Sequence, residues 1–419
     1  MSKRIERRQE RERREESEYR LPAPGSALPQ IVLIERRPGN HPWIFRRMLE
    51  EPRQRVIPGA LVECVTRDGR RVGCGYYNAN SEITLRLLSE DPRVVPDGEW
   101  FARRIADAVA FRHDVLKLPD TTDAYRVIHS EGDGLSGLVV DRLANVLVLE
   151  LYSAGPFRHL PWIQAGLRAC FPDAEQVVRA DARSEKYEGV AMDGPPPSAQ
   201  ACELTVREGA ARFHVDLRKG HKTGFFADQR EHRARLAELS RGHELFDGCC
   251  YSGGFAIQAA LAGAKRVEAV DLDEKAIAVA ESNGKLNAVT DRVTFAHGNV
   301  FNVLREHRAA RKRFARMVLD PPKLAVSKSE LPKALQSYKD MNRQGMQCVE
   351  AGGVLLSCSC TGLVSELDLI GVLRDAASEA RADLQIFAVG GASPDHPWAA
   401  RMPEGRYLKV IYSRVRPLG

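Results

Sequence analysis

The chain has no apolar stretch approaching the ~20 residues of a membrane-spanning helix, which excludes an integral helical membrane protein. Its first 20 residues are charged throughout, so no secretory leader is read there. The nine cysteines are odd in number and lack the spacing of a disulfide framework, which fits a reducing cytoplasm. Cys358 and Cys360 have no partners at zinc spacing, so no metal centre is expected. No segment repeats at a fixed period. The G-x-G-x-x-G fingerprint of a dinucleotide site is also missing.

What remains is an ordinary globular composition, 43% hydrophobic and 28% charged, in 419 residues. That length exceeds a single core, and three domains are read after a charged tail. The tail, residues 1–28, mixes Arg and Glu without an apolar face and reads as disordered. A net charge of +6 and a pI of 8.8 favour a polyanionic partner.

Residues 29–100 carry short strand-like runs: 31–34, 60–65, 71–77 and 83–87. Asp68-Gly69 between two of them is a hairpin signal, and the whole reads as a small β-barrel-like module. Residues 98–118 read as a helix with Trp100, Phe101, Ile105, Val109 and Leu116 on its apolar stripe. The central stretch, 101–207, reads as α+β around the strand Val146–Leu151 and a Gly-rich turn at 131–137. From 208 to 419 strands and helices alternate, which predicts a doubly wound parallel sheet of some seven strands.

Chemistry collects at the ends of those strands, where open α/β sheets bind ligands. Asp247 to Phe255 follows a strand, opens a helix and contains Tyr251, Ser252, Gly253 and Gly254. Glycines there let a ligand approach the backbone. Asp271, ending the next strand, is placed to accept hydrogen bonds from ribose hydroxyls. Without a pyrophosphate fingerprint, a nucleoside lacking phosphate, such as S-adenosylmethionine (SAM), fits better. A tight turn beside an exposed Asp is the plain alternative.

Asp320-Pro321-Pro322-Lys323 follows an apolar run, and its two prolines make a stiff, donor-poor loop. A flat base can lie against it while Asp320 accepts hydrogen bonds from the base edge. Cys360, after the apolar run 354–356, lies where a thiol could attack carbon 6 of a cytosine. Such addition makes carbon 5 enamine-like and able to take a methyl group. Buried packing is the other reading of a strand-end Cys, and Cys358 shares its face in an extended strand. Lys219, His221, Lys222 and Arg230 interleave with aromatics before the sheet, and Lys323 joins the stiff loop. These cations suit phosphate and base contact, or else form a solvated charged loop.

Taken together, the segments resemble the RlmI family, bacterial SAM-dependent 23S rRNA cytosine-5 methyltransferases. His41-Pro42-Trp43-Ile44-Phe45 is similar to the opening of its RNA-binding PUA domain. Residues 125–128 with 134–142 resemble its central domain. His221-Lys222-Thr223-Gly224, Asp228-Gln229-Arg230, 251–255, 320–323, Tyr338-Lys339-Asp340 and Ser359-Cys360-Thr361-Gly362 resemble its Rossmann-like class I methyltransferase domain. The resemblance implies Cys360 as nucleophile and Asp320 as base-orienting carboxylate. It places SAM against Tyr251 to Gly254, Asp271 and Asn299, with Gln229 near the methionine end.

Asn299 departs from the family, which usually carries Asp against adenine at that position. Lys323 stands where many RNA cytosine-5 methyltransferases have a second cysteine, so Asp320 or water is left to remove the carbon 5 proton. The leading expectation is therefore an rRNA cytosine-5 methyltransferase that needs SAM, no metal and no membrane. Base-nitrogen methylation through the Asp-Pro-Pro loop is a second reading, and a catalytically silent SAM-binding rRNA assembly factor a third. The sequence leaves a homodimer open.

Overall fold

A computed structural model describes residues 19–23, 25–35, 37, 40–180, 182–192, 194, 197–218 and 224–418. The chain falls into two compact units. One comprises Met1–Asp120, Tyr125–Cys202 and Asp395–Gly405; the other Thr121–Ala124, Glu203–Pro394 and Arg406–Gly419.

The first unit holds a five-stranded sheet in the order Gln30–Leu33, Ala60–Thr66, Arg71–Tyr77, Leu85–Ser89, Trp43–Ile44. Asp68-Gly69 joins an antiparallel pair, as its left-handed Gly69 (φ +81°) allows. The four-stranded sheet runs Ala124–His129, Leu138–Leu143, Val146–Leu151, Glu175–Ala180. Between them the helix Gly98–Ala110 starts where Asp97 accepts the Trp100 N–H at 2.8 Å. Leu61 and Tyr76 of the first sheet share one apolar core with Phe101 and Ile105 of that helix and Leu147 and Leu149 of the second sheet. That shared core draws the modules read as 29–100 and 101–207 into one unit.

Two details of this unit differ from the sequence reading. Residues 1–18 of the tail lie outside the described residues, but Tyr19 is packed in place, its hydroxyl 3.1 Å from His159 Nε2. Residues 395–405 are drawn out of the last segment of chain and into this unit. There the fully buried Arg112 pairs with Asp133 at 2.6 Å and donates to the Asp395 carbonyl at 2.7 Å.

The second unit is built on seven strands: β1 (Glu244–Gly248), β2 (Arg266–Asp271), β3 (Val293–His297), β4 (Phe314–Leu319), β5 (Val349–Ser359), β6 (Ala382–Gly390) and β7 (Lys409–Pro417). Their order is β3-β2-β1-β4-β5-β7-β6. Helix α1 (Arg230–Ser240) leads into β1, and helices α2 (Gly254–Leu261), α3 (Glu274–Leu286), α4 (Val300–Ala309), α5 (Leu331–Gln347) and α6 (Glu366–Ala380) connect successive strands up to β6. Strand β7 runs antiparallel to both neighbours, which corrects the wholly parallel expectation. The link from Gly390 to Lys409 contains only the 3-10 turn Pro403–Gly405, so no crossover helix is available to return the chain in parallel. A hairpin of Glu203–Glu208 and Ala211–Asp216 precedes the sheet.

Candidate active site

The strand order reverses between β1 and β4, which leaves a crevice beyond their carboxyl ends. The β1–α2 turn spans residues 249–253, with Cys249 (φ +66°), Tyr251 (φ +49°) and Gly253 (φ +83°) all left-handed. Two non-glycine residues in that region carry backbone strain that surrounding bonds must hold. The Val270 carbonyl accepts the N–H groups of Cys249 and Cys250 at 2.9 and 3.1 Å. Asp271 Oδ2 accepts the Tyr251 N–H at 2.8 Å, and its Oδ1 accepts the Asp273 N–H at 2.9 Å. Asn283 donates to the Ser252 carbonyl at 3.1 Å. A Cβ at Gly253 would come 2.9 Å from the Phe295 ring, so the turn admits no side chain there.

Beneath this turn lies Asp247, fully buried in β1. Its Oδ2 accepts the Ala256 N–H at 3.0 Å, and its Oδ1 has no partner among the described residues. Burial, with the Asp320 and Asp271 charges adding to it, pushes this carboxyl from 3.8 up to about 8. The folded state thus keeps a proton that the unfolded chain gives up near its ordinary value. The resulting stability is complete below about pH 4 and fades as pH rises through 8. Asp247→Asn is therefore expected to gain on the wild type in melting temperature by about 2–4 °C between pH 5 and pH 8.5. Scanning calorimetry at both pH values checks this, and a constant gap would refute it.

Asp320 follows β4, and its Oδ2 accepts the Gln229 Nε2 at 2.9 Å. Gln229 is buried, faces the Cys358 thiol as well, and leaves its Oε1 without a partner among the described residues. Cys360 follows β5 and is partly exposed. The two residues flanking it are fully buried and bonded: Ser359 donates to the Tyr338 hydroxyl at 3.0 Å, and Thr361 Oγ1 lies 2.9 Å from the same hydroxyl. Thr361 Oγ1 also accepts the Leu324 N–H at 3.1 Å, tying the Asp-Pro-Pro loop to the cysteine loop. Cys358, on the same strand, is 1% exposed, and burial pushes its thiol well above the ordinary range.

The chain's Met1–Gly419 sequence matches two families over separate stretches: a PUA-like domain at residues 36–90 and an S-adenosylmethionine-dependent methyltransferase at residues 198–391. Ribosomal RNA large subunit methyltransferase I of Shewanella amazonensis is 36% identical over 397 residues, covering 92% of this chain and 99% of that protein. Its namesake in Shewanella frigidimarina is 38% identical, over 91% of this chain and 96% of that protein. The chain belongs to the ribosomal RNA large subunit methyltransferase I family. Among solved structures, a Streptococcus mutans chain described as a SAM-dependent methyltransferase superposes with a TM-score of 0.74 at 18% identity, covering 90% of this chain and 96% of that one. That likeness carries the fold.

Membership in the family makes SAM the cofactor, and the site suits it. SAM bears a sulfonium and an ammonium, and the crevice presents the side chains of Asp271 and Asp320, with Asp247 Oδ1 and Gln229 Oε1 lacking a partner among the described residues. Tyr251 to Gly254 and Asp271 lie together along the turn, as the sequence predicts. Asn299 is the N-cap of α4; its Oδ1 accepts the Phe301 N–H at 2.9 Å. Gln229 reaches Asp320, which the sequence did not anticipate.

The cations fare differently. Lys323 is exposed beside the crevice. Arg230, grouped on sequence with the RNA-facing cations, is 6% exposed at the start of α1, which withdraws it from a surface role. Lys219, His221 and Lys222 lie outside the described residues. Sequence reasoning named Asp247, Tyr338 and Thr361 within motifs without giving them a role, and missed Lys409. The signal for Lys409 was a lone cation inside the apolar run 408–412. Among the described residues no cluster could hold a metal ion, and no helix is long and apolar enough to cross a membrane.

Proposed function

We propose that this methyltransferase acts on cytosine in large-subunit (23S) rRNA in the cytoplasm, forming 5-methylcytidine through a covalent adduct of Cys360. The observation that carries this reading is one partly exposed thiol on a loop bonded to the Asp320 loop, with its strand neighbour Cys358 sealed in the core. The PUA-like module supplies a second RNA contact, and Lys323 meets phosphate at the crevice rim.

The Cys360 thiolate adds to carbon 6 of the base, forming a C–S bond and moving the carbon 5–carbon 6 electron pair onto carbon 5. Asp320, held by Gln229, orients the base edge. Bound SAM would supply the methyl group, which carbon 5 takes with that electron pair as the methyl–sulfonium bond breaks and S-adenosylhomocysteine is left. The carbon 5 proton then leaves to Asp320 or to water, and its bonding pair re-forms the double bond as Cys360 departs as thiolate. The balance is one methyl gained and one proton released. Asp271, which holds the Tyr251 N–H, would also hold the ribose, and Asn299, whose oxygen caps α4, would offer its Nδ2 to adenine.

Nucleoside mass spectrometry of rRNA from a strain lacking the enzyme, incubated with protein and methyl-labelled SAM, tests this. Labelled 5-methylcytidine is the expected product. A labelled methylated purine would replace the covalent route by base-nitrogen chemistry, and no transfer to either rRNA or ribosomal particles would favour a silent assembly factor.

A further inference from the structure

Lys409 opens β7 directly opposite Ser359, the residue before the thiol. Its side chain is 3% exposed, yet among the described residues no carboxylate lies within ion-pair distance of it. Two of its three N–H donors go to main-chain carbonyls, Thr361 O and Tyr407 O, both at 2.7 Å. The ammonium is thus fixed against the residue that follows Cys360, with one donor left over. Burying a cation without a counterion is costly, and a neutral donor would serve the two carbonyls as well. The charge itself calls for an anion.

The charged and titratable groups facing Lys409 narrow the choice. Among the charges, Cys360 as thiolate favours the ammonium most, Asp368 favours it less, and Arg406 and Lys323 disfavour it. Asp368 is committed to capping α6, accepting the Ser365 N–H at 2.9 Å and its hydroxyl at 2.6 Å. Arg406 pairs with Glu366, and Lys323 is itself a cation on the next loop. Around Cys360 the other packed elements present the Tyr338 hydroxyl of α5 and the Cys358 thiol of β5, both within reach of the Asp320 charge. Asp320 and Asp368 oppose negative charge on Sγ, the Tyr338 hydroxyl and the Cys358 thiol are neutral to it, and of the cations Arg406 is already paired and Lys323 is exposed to solvent.

We propose that Lys409 is a positioning residue for the Cys360 thiolate: its buried ammonium stabilises the charge on Sγ before attack on the base and again when the thiolate is expelled. This rests on the reading of Cys360 as nucleophile. Burial, with the Arg406 and Lys323 charges adding to it and the Cys360 charge opposing it, brings the Lys409 ammonium down to about 8, so the cation is present at neutral pH. Coulombic attraction is mutual, and what Cys360 does for Lys409 Lys409 does for Cys360.

The test is the pH dependence of Cys360 alkylation by iodoacetamide in the full chain, followed at that peptide by mass spectrometry. The wild-type midpoint is expected about one unit or more below the ordinary thiol value of about 8.5. Lys409→Met, which keeps length without charge, is expected to raise the midpoint by about one unit and slow alkylation at pH 7 about tenfold. Lys409→Arg is expected to restore most of that loss. A Lys409→Met midpoint equal to that of the wild type overturns the proposal, even if SAM affinity or melting temperature falls. Should Lys409→Met not fold, a wild-type midpoint at or above about 8.5 overturns it instead. Methyl transfer by Cys360→Ala would refute the nucleophile and leave the alkylation result standing, so the two failures are told apart.

Discussion

Cys360→Ala is expected to lose methyl transfer by about a thousandfold or more while binding SAM within about threefold of the wild type. Carbon 5 of cytosine is too poor a nucleophile to take a methyl group unless carbon 6 has first been attacked. Removing Sγ removes that activation, and nothing nearby replaces it. Cys358 is two positions back on the same strand, but it is sealed in the core and faces Gln229, with burial holding its thiol protonated. Cys249 and Cys250, at the SAM turn, are also pushed well up by burial and by the surrounding carboxylates. Cys358→Ala is accordingly expected to retain transfer within about threefold, the cost of a small core cavity. Single-turnover transfer from labelled SAM, read beside calorimetric SAM affinity, separates chemistry from binding. Turnover by Cys360→Ala at the wild-type rate would end the covalent mechanism and return the thiol to packing.

The site's skeleton was legible because its parts are local. Asp271, Asp320 and Cys360 each follow an apolar run, and a polar residue at that point faces the crevice whatever the remaining topology. The turn at 249–253 was readable because only a glycine-containing link can pass from β1 into α2 with three left-handed residues. What stayed hidden depends on partners distant in sequence. Arg230 read as an RNA-facing cation or part of a solvated loop, yet it is buried, as are His232 and Arg233 beside it, Arg233 because Glu208 meets it with bonds of 2.6 and 2.5 Å. Lys409 becomes meaningful only once β7 reverses and sets it opposite Ser359. Asp247 looks like a strand residue with a routine cap until its second oxygen is found without a donor. Burial and cross-strand register decide these roles, and neither is written in a single segment.

Asp271→Ala is expected to weaken SAM binding about a hundredfold, close to 2.7 kcal/mol. The carboxylate does two things at once. Toward the protein it accepts the Tyr251 and Asp273 N–H groups, one on each oxygen, and so holds the strained turn against β2. Toward the ligand, in the proposed reading, its remaining lone pairs would take the ribose hydroxyls. Truncation loses charge-assisted bonds to the ribose, roughly 1.5–3 kcal/mol, and lets a turn with two left-handed non-glycine residues relax. Asp271→Asn separates these contributions. An amide has one oxygen, so its NH2 group must face either the Tyr251 or the Asp273 N–H, donor against donor. The Asn variant is therefore expected to bind SAM nearer to Ala than to the wild type, where a purely ligand-facing role would leave Asn close to normal. Titration calorimetry of the three proteins decides it. Equal SAM affinity in Asp271→Ala and the wild type would remove the ribose contact altogether.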